Sequence, residues 1–292
     1  MQAKGTAMKL KSACYECLSR LARQAAELAT DDPILRQRAF NKAIRILDDE
    51  FSYNQLSIVI AAKIHKAIIE VAGNRDPYRE MKEKEMALAR ALYPQLLARA
   101  SWTNLQRDQF HTYLELAAAA NAIDFFRAPE LISEEMKQAV NFAIDDSESF
   151  FTKLEVASKV LYLADNAGEL YFDLPLVTWM KQFARVIYAV KPSAVQDDLT
   201  LEDVRRSGLE PMFGEVISTG VASPGIVFSL ASTEFKQEFD SADLVFAKGM
   251  GHYEALSELP PQGRFFYCLK AKCQPVANSL GVLVNSYVAM LR

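Results

Sequence analysis

Through the first half of the chain, apolar residues return every three or four positions, the period that lines one face of an α-helix. Stretches rich in Ala, Leu, Arg and Glu predict helices over 9–30, 33–51, 55–71 and 78–98, with two more over 104–123 and 133–145. Only Gly5 and Gly73 of the eleven glycines precede residue 160, so turn chemistry in this half falls between the helices. Beyond about Glu155 the pattern changes to short β-branched and aromatic runs, each followed by a turn and a helical stretch. These runs predict strands at 159–163, 185–190, 215–218, 244–247, 265–269 and 282–288. The expectation is an α/β fold, a mostly parallel sheet with helices on both faces, preceded by an all-helical domain. The composition boundary places the helical domain at 1–154 and the sheet domain at 155–292.

Composition narrows the class. The 292 residues are 50% hydrophobic and 24% charged, enough to bury a large core without disulfides or metal. A net charge of -4 gives no basic surface for nucleic-acid backbone, so small molecules or proteins are the expected partners. The most hydrophobic helical stretch, 58–71, is interrupted by Lys63, His65, Lys66 and Glu70, and no apolar run is long enough to cross a membrane. The opening residues lack an apolar segment with a small-residue cleavage site, so a reducing cytoplasm is expected, with Cys14, Cys17, Cys268 and Cys273 as thiols or ligands. Oligomeric state is not encoded in any pattern found here.

In sheets of this kind ligands gather at the carboxyl ends of the strands. After the 159–163 run stand Asp165, Asn166, Gly168 and Glu169, and after 185–190 stand Asp197, Asp198, Thr200 and Asp203. Hard oxygen donors there suit Mg²⁺ or Mn²⁺, and Co²⁺ or Ni²⁺ by affinity order. The competing account has Asp165 and Asn166 capping a helix and Asp197 and Asp198 in a solvated turn; spacing leaves both open. Ser218, Gly220, Ser223 and Gly225 form a turn rich in hydroxyls and N–H groups, able to accept a phosphate oxygen. Lys248, Gly249 and Gly251, with His252, let an ammonium and backbone approach an anion closely. Neither a Walker loop nor G-x-G-x-x-G is present, which disfavours ATP and NAD.

In order, Asp165-Asn166-Ala-Gly-Glu169, Asp198 with Thr200, the Gly220 to Gly225 loop, Asp243 before Lys248-Gly-x-Gly-x-Tyr-Glu254, and Lys272-Cys273-x-Pro275-Val276-Ala277 resemble the metal-dependent damage-control phosphatases, once catalogued as domain of unknown function 89. In the first half, Asp76-Pro77-Tyr78 with Lys82, the Ala119-Ala120-Asn121-Ala-Ile-Asp124-Phe125 run, and Cys14-x-x-Cys17 resemble the stand-alone prokaryotic branch. The resemblance implies a helical domain packed over a Rossmann-like α/β/α sandwich. It also implies a divalent-metal phosphatase for small, damaged or surplus phosphorylated metabolites. Carried over by position, it assigns the metal to Asp165, Asn166 and Asp198 and the phosphate to Lys248. Catalysis then rests on Asp165 and Lys248; sequence leaves Asp165 either a ligand only, the favoured reading, or a nucleophile that forms a phosphoaspartate. Substrate contacts are expected from Asn121, Asp124, Ser218, Gly220, Gly249 and His252. The chain departs from the family at Lys84, Glu85, Ala120, Asp197 and His252; Asp197 adds negative charge beside the metal and His252 changes the donors near Lys248.

Other readings attach to the same residues. Asn121 and Asp124, three apart, either face substrate or end a helix. Cys14, Cys17 and Cys273 are either packing residues or a soft-metal or redox site, and Cys268 reads as core. His65 and His111 read as core-edge or solvated histidines. Two functions of other classes remain at this level. One is an S-adenosylmethionine-dependent methyltransferase, against which the missing glycine-rich first loop counts. The other is a non-enzymatic metal-handling or interaction protein built on Cys14 and Cys17.

Overall fold

The structure, a computed structural model, describes residues 8–100, 105–121, 134 and 138–292, the side chains of 99 and 100 excepted. Helices α1 (Ser12–Ala29), α2 (Pro33–Glu50) and α3 (Ser57–Ala72) pack through Leu18, Ala22, Ala25 and Ala29 of α1, Ala39, Ala43 and Leu47 of α2, and Ile60, Ile64 and Ile68 of α3. Small residues on α1 and α2 let the helix axes approach closely. Asp32 caps α2, its carboxylate accepting from the N–H groups of Ile34 and Leu35, and Gly73 ends α3 in the left-handed conformation at φ +71°. Helix α4 (Arg79–Ala100) and α5 (Gln106–Ala120) follow, and Leu96, Leu116 and Ala120 join Phe172 in a smaller cluster.

The expected helix over 133–145 is corrected at its end: Phe142–Asp145 form a strand, β1. Its four residues alternate half-buried and exposed, the signature of an edge strand. The rest of that stretch, apart from Glu134 and residues 138–141, lies outside the described residues. Then come α6 (Ser147–Leu154), β2 (Lys159–Leu163), a short 3₁₀ turn (Ala167–Glu169), α7 (Leu170–Met180), β3 (Arg185–Val190), α8 (Leu201–Ser207), α9 (Glu210–Phe213) and β4 (Glu215–Ser218). The chain ends with α10 (Thr233–Ser241), β5 (Leu244–Lys248), α11 (Gly249–Leu256), β6 (Phe265–Lys270), α12 (Gln274–Leu280) and β7 (Tyr287–Leu291). The expected last strand, 282–288, is thus shifted toward the end of the chain, because the left-handed Gly281 and Asn285 hold the preceding residues in turns.

One sheet in the order β1-β7-β6-β5-β2-β3-β4 results, parallel throughout except for the β6–β7 pair. Alternation along β2 divides the core. Val160 and Tyr162 face Phe110, Leu114, Phe150, Leu170 and Val177, while Leu161 and Leu163 face Phe235, Phe239, Tyr253, Leu256 and Val276. Helices therefore cover both faces, as expected for a parallel sheet. The chain runs outward from β2 through β3 to β4, then crosses to the other side of β2 to place β5 and β6. The reversal leaves a crevice at the carboxyl ends of β2 and β5.

Candidate active site

Leu163 is in register with Ala189 on one side and Ala247 on the other, so the residues after β2, β3 and β5 emerge side by side. The segment after β3 folds back over the tip of β2. Leu199 N–H donates to Asp165 O and Ala167 N–H to Asp197 O, both at 2.8 Å, and Asn166 and Asp198 pair as an isolated bridge. Gln196, at φ +48°, supplies the reversal. Asp165, Asn166 and Asp198 are thereby brought together. Asp198 is buried, not part of a solvated turn. Asn166 starts the 3₁₀ turn without a side-chain cap bond; its amide donates instead to Glu169 Oε1 at 3.2 Å.

Asn121, at the end of α5, reaches into the same place. Its amide nitrogen donates to Asp165 Oδ2 at 3.2 Å and to Glu169 Oε1 at 2.7 Å, and its carbonyl oxygen accepts from Lys270 N–H at 3.1 Å. One side chain thus ties the helical half to the ends of β2 and β6. Asp124 lies outside the described residues. Gly249 faces Asp165 directly: a Cβ there would stand 1.9 Å from Asp165 Oδ2, and its φ of +75° also favours glycine.

Lys248 was expected to meet the phosphate. It is fully buried, and its ammonium is occupied by Ala117 O at 2.7 Å, Asp173 Oδ1 at 2.8 Å and Glu169 Oε2 at 2.6 Å. Two of its donors are used in hydrogen bonds, to Ala117 O and Asp173 Oδ1, and Glu169 pairs with it as an ion, so the ammonium is held among the acids beneath the site. Burial works against its charge, but Asp173 and Glu169 outweigh burial and raise its pKa. Asp173 is fixed in turn by the hydroxyls of Tyr162 at 2.7 Å and Tyr188 at 2.9 Å.

His252 is likewise enclosed rather than lining an open pocket. Its Nε2 lies 3.0 Å from Ala164 O and 3.3 Å from Lys191 Nζ. Burial, then the Lys191 charge, holds the imidazole well below its usual range and therefore neutral. Lys191 closes the other side of the site, with Nζ 3.5 Å from Asp198 Oδ2, the long limit of a hydrogen bond. In the turn after β4, Gly220 N–H donates to Ser218 Oγ at 3.0 Å, so the donor expected to meet a phosphate is already used.

The electrostatics are those of crowded acids. Burial, then Glu169 and Asp198, pushes Asp165 well above the ordinary carboxylate range, with Lys272 and Lys191 acting against this. Burial pushes Asp198 up to about 7, against the pull of Lys191. Among the described residues no three His, Cys, Asp or Glu side chains already converge as a metal site. The donor set nevertheless fits a hard divalent cation: two carboxylates that repel one another, an amide oxygen, and an Asp198 oxygen without a firm donor. Asp173 and Lys191 were not singled out from sequence, and Glu169 was quoted within a motif without a role of its own; a charged residue at the end of an apolar strand, as Lys191 is, was the one available signal.

The remaining candidates fall elsewhere. Burial pushes the Cys273 thiol up to about 11 and raises Cys14, and all four cysteines are free. Cys14, Cys17 and Glu254 lie near enough to Cys273 to add to that rise, but among the described residues they do not form a group that could hold a metal ion. Among the described residues, no helix is long and apolar enough to cross a membrane.

Comparison with known proteins places this geometry. The damage-control phosphatase ARMT1-like domain matches residues 10–288. A protein of Pyrococcus horikoshii named damage-control phosphatase PH1575 is 35% identical over 289 residues, covering 97% of this chain and 98% of its own. An Archaeoglobus fulgidus protein named damage-control phosphatase is 31% identical over 290 residues, covering 97% and 99%. The crystal structure of a DUF89 family protein from Pyrococcus horikoshii aligns with a TM-score of 0.87 and 34% identity, over 97% of this chain and 99% of that one.

Proposed function

The chain belongs to the ARMT1-like damage-control phosphatase family, and from that premise we propose that it hydrolyses phosphate monoesters of small phosphorylated metabolites with a divalent cation at the ends of β2 and β3. The observation that carries the reading is the convergence of Asp165, Asn166 and Asp198 from two strand ends, with Asp165 braced by Asn121 and by the close approach of Gly249. Asp165, Asn166 and Asp198 would hold the cation, with Mg²⁺ and Mn²⁺ the expected ions and Co²⁺ or Ni²⁺ also suited to the donors. When bound, the cation supplies a Lewis acid for a phosphate oxygen and an acidified water.

The protein's own residues do the rest. Lys191 and Lys272 are the cations that act on Asp165, and they are placed to offset charge on a transferring phosphoryl group. Lys248 holds Glu169, which orients both Asn121 and Asn166, so its role is positioning. Gly249 keeps the space beside Asp165 free of a side chain. Asp124 is part of the same reading as a substrate contact from the helical half, as is the division into a helical part, 1–154, and a sheet part, 155–292, with β1 and α6 built into the latter's layers. A reducing cytoplasm suits the four free thiols.

Asp165→Ala is the direct test. Turnover of a phosphorylated-metabolite set, assayed with Mg²⁺, Mn²⁺, Co²⁺ and Ni²⁺ in turn, is expected to disappear while the far-UV circular dichroism spectrum is kept. Full activity in the variant removes the proposal.

A further inference from the structure

Lys191 stands at the tip of β3, its backbone fixed on both sides: its N–H donates to Leu199 O at 2.9 Å and its carbonyl accepts from Leu201 N–H at 3.1 Å. The side chain is fully buried. Among the described residues its ammonium nevertheless has only two contacts, and both are long: His252 Nε2 at 3.3 Å and Asp198 Oδ2 at 3.5 Å. Lys248, the buried ammonium at the tip of β5, has its three contacts between 2.6 and 2.8 Å. An ammonium carries three donors, and with charged partners they close to about 2.7–2.9 Å. Lys191 is therefore short of acceptors in a place where water is excluded.

His252, one of the positions at which the chain departs from its family, decides how short. It lies in the first turn of α11, whose start is held in place: Gly249 abuts Asp165, and a Cβ on Gly251 would fall 2.2 Å from Pro224 O. Its Nε2 is 3.0 Å from Ala164 O, the carbonyl just before Asp165, and 3.3 Å from Lys191 Nζ. These neighbours make opposite demands. A carbonyl oxygen needs an N–H, an ammonium needs a lone pair, and one nitrogen of a neutral imidazole supplies one or the other. The carbonyl is the nearer. With the proton on Nε2, Ala164 O is satisfied and Nδ1, which has no partner among the described residues, is a bare acceptor. With the proton on Nδ1, a buried N–H would be orphaned and Ala164 O would face a lone pair. Burial and the Lys191 charge exclude the doubly protonated ring.

We propose that His252 is a positioning residue: it commits Nε2–H to the carbonyl before Asp165 and so withholds an acceptor from Lys191, which leaves that ammonium for an oxygen of the phosphoryl group. The proposal rests on the phosphatase reading for the identity of the anion. Calorimetric binding of inorganic phosphate to the Mn²⁺-loaded protein tests it in two variants. In His252→Gln the amide nitrogen takes the place of Nε2 on Ala164 O, and the amide oxygen is offered to Lys191. Phosphate is then expected to bind at least about tenfold more weakly, with Mn²⁺ affinity and melting temperature kept. In His252→Leu neither bond forms. The melting temperature is expected to fall because Ala164 O is unpaired, while phosphate affinity stays within about threefold of the wild type. A side chain that only fills space would give the reverse order, with leucine the more damaging to phosphate binding. That order, phosphate affinity unchanged in His252→Gln, or no phosphate binding by the wild type overturns the proposal. If His252→Leu does not fold, the loss in His252→Gln at unchanged Mn²⁺ affinity decides it. The expected order in a protein that hydrolyses no phosphate monoester supports the proposal and removes the phosphatase reading; the reverse order in a protein that does hydrolyse them removes the proposal alone.

Discussion

At the scale of single residues, the site is defined by which atoms have room. Gly249 and Gly73 share almost the same left-handed backbone, φ +75° and +71°, yet a Cβ at 249 would meet Asp165 Oδ2 at 1.9 Å while one at 73 meets nothing within 4 Å. Gly73→Ala is expected to cost only backbone strain, about 1 kcal/mol, and no activity. Gly249→Ala carries the same strain and also displaces the Asp165 carboxylate, for which a loss of at least about a hundredfold in kcat/KM is expected. Steady-state kinetics on both variants decide it; equal activity would mean that Asp165 does not need its present position. Lys248 shows the opposite side of the same point. Sequence identified it as a cation at a strand end but could not show that Glu169, Asp173 and Ala117 O surround it. Burial and partners come from other elements, and a motif carries neither.

At the scale of elements, the helical half is fastened to the site-bearing segment through α4 and α8. Lys82 is buried and lies 2.9 Å from Asp76 and 2.8 Å from Asp203, the residue that also forms the capping box with Thr200. On the surface, Arg79 pairs with Glu202 and Arg206 with Glu83. Lys82→Met leaves the buried Asp203 without its cation and is expected to cost about 3 kcal/mol. Arg79→Ala removes an exposed pair and is expected to cost under about 1 kcal/mol. Urea denaturation of the two variants tests the contrast, and equal losses would show that the buried pair is not what joins these elements. The 159–163 and 185–190 strands were legible because each is a short, nearly continuous apolar run between turns. β1 was not: four residues of alternation are too few to outweigh helical surroundings, and its partner is β7, far along the chain. The Thr200–Asp203 cap was legible because it is local.

At the scale of the whole molecule, His111 joins α5 to the sheet edge through Glu115 within its own helix and Asp145 of β1, each at 3.2 Å. The bond to Glu115 raises its pKa to about 9 against burial, and Asp145 adds to the rise. A raised folded-state value means that the stabilisation is fully present below about 6.5 and fades as pH climbs through about 9. The side chain is 40% exposed, so solvent screening holds the effect under about 1 kcal/mol. Thermal melts of the wild type and His111→Gln are expected to differ at pH 6 and to converge by pH 10. A gap that does not change across that range would rule out an ionic tie.

The sheet order also determines when the molecule can be finished. β1 has β7 as its neighbour, and β7 alone joins β1 to β6. Asp146 completes the junction, its N–H reaching Ala289 O at 2.7 Å and its carboxylate accepting from Leu291 N–H at 2.9 Å. A nascent chain halted before residue 287 would thus carry an orphaned β1 and a bare β6 flank. Shelter for both during synthesis must come from a chaperone or from the speed with which the final residues are delivered.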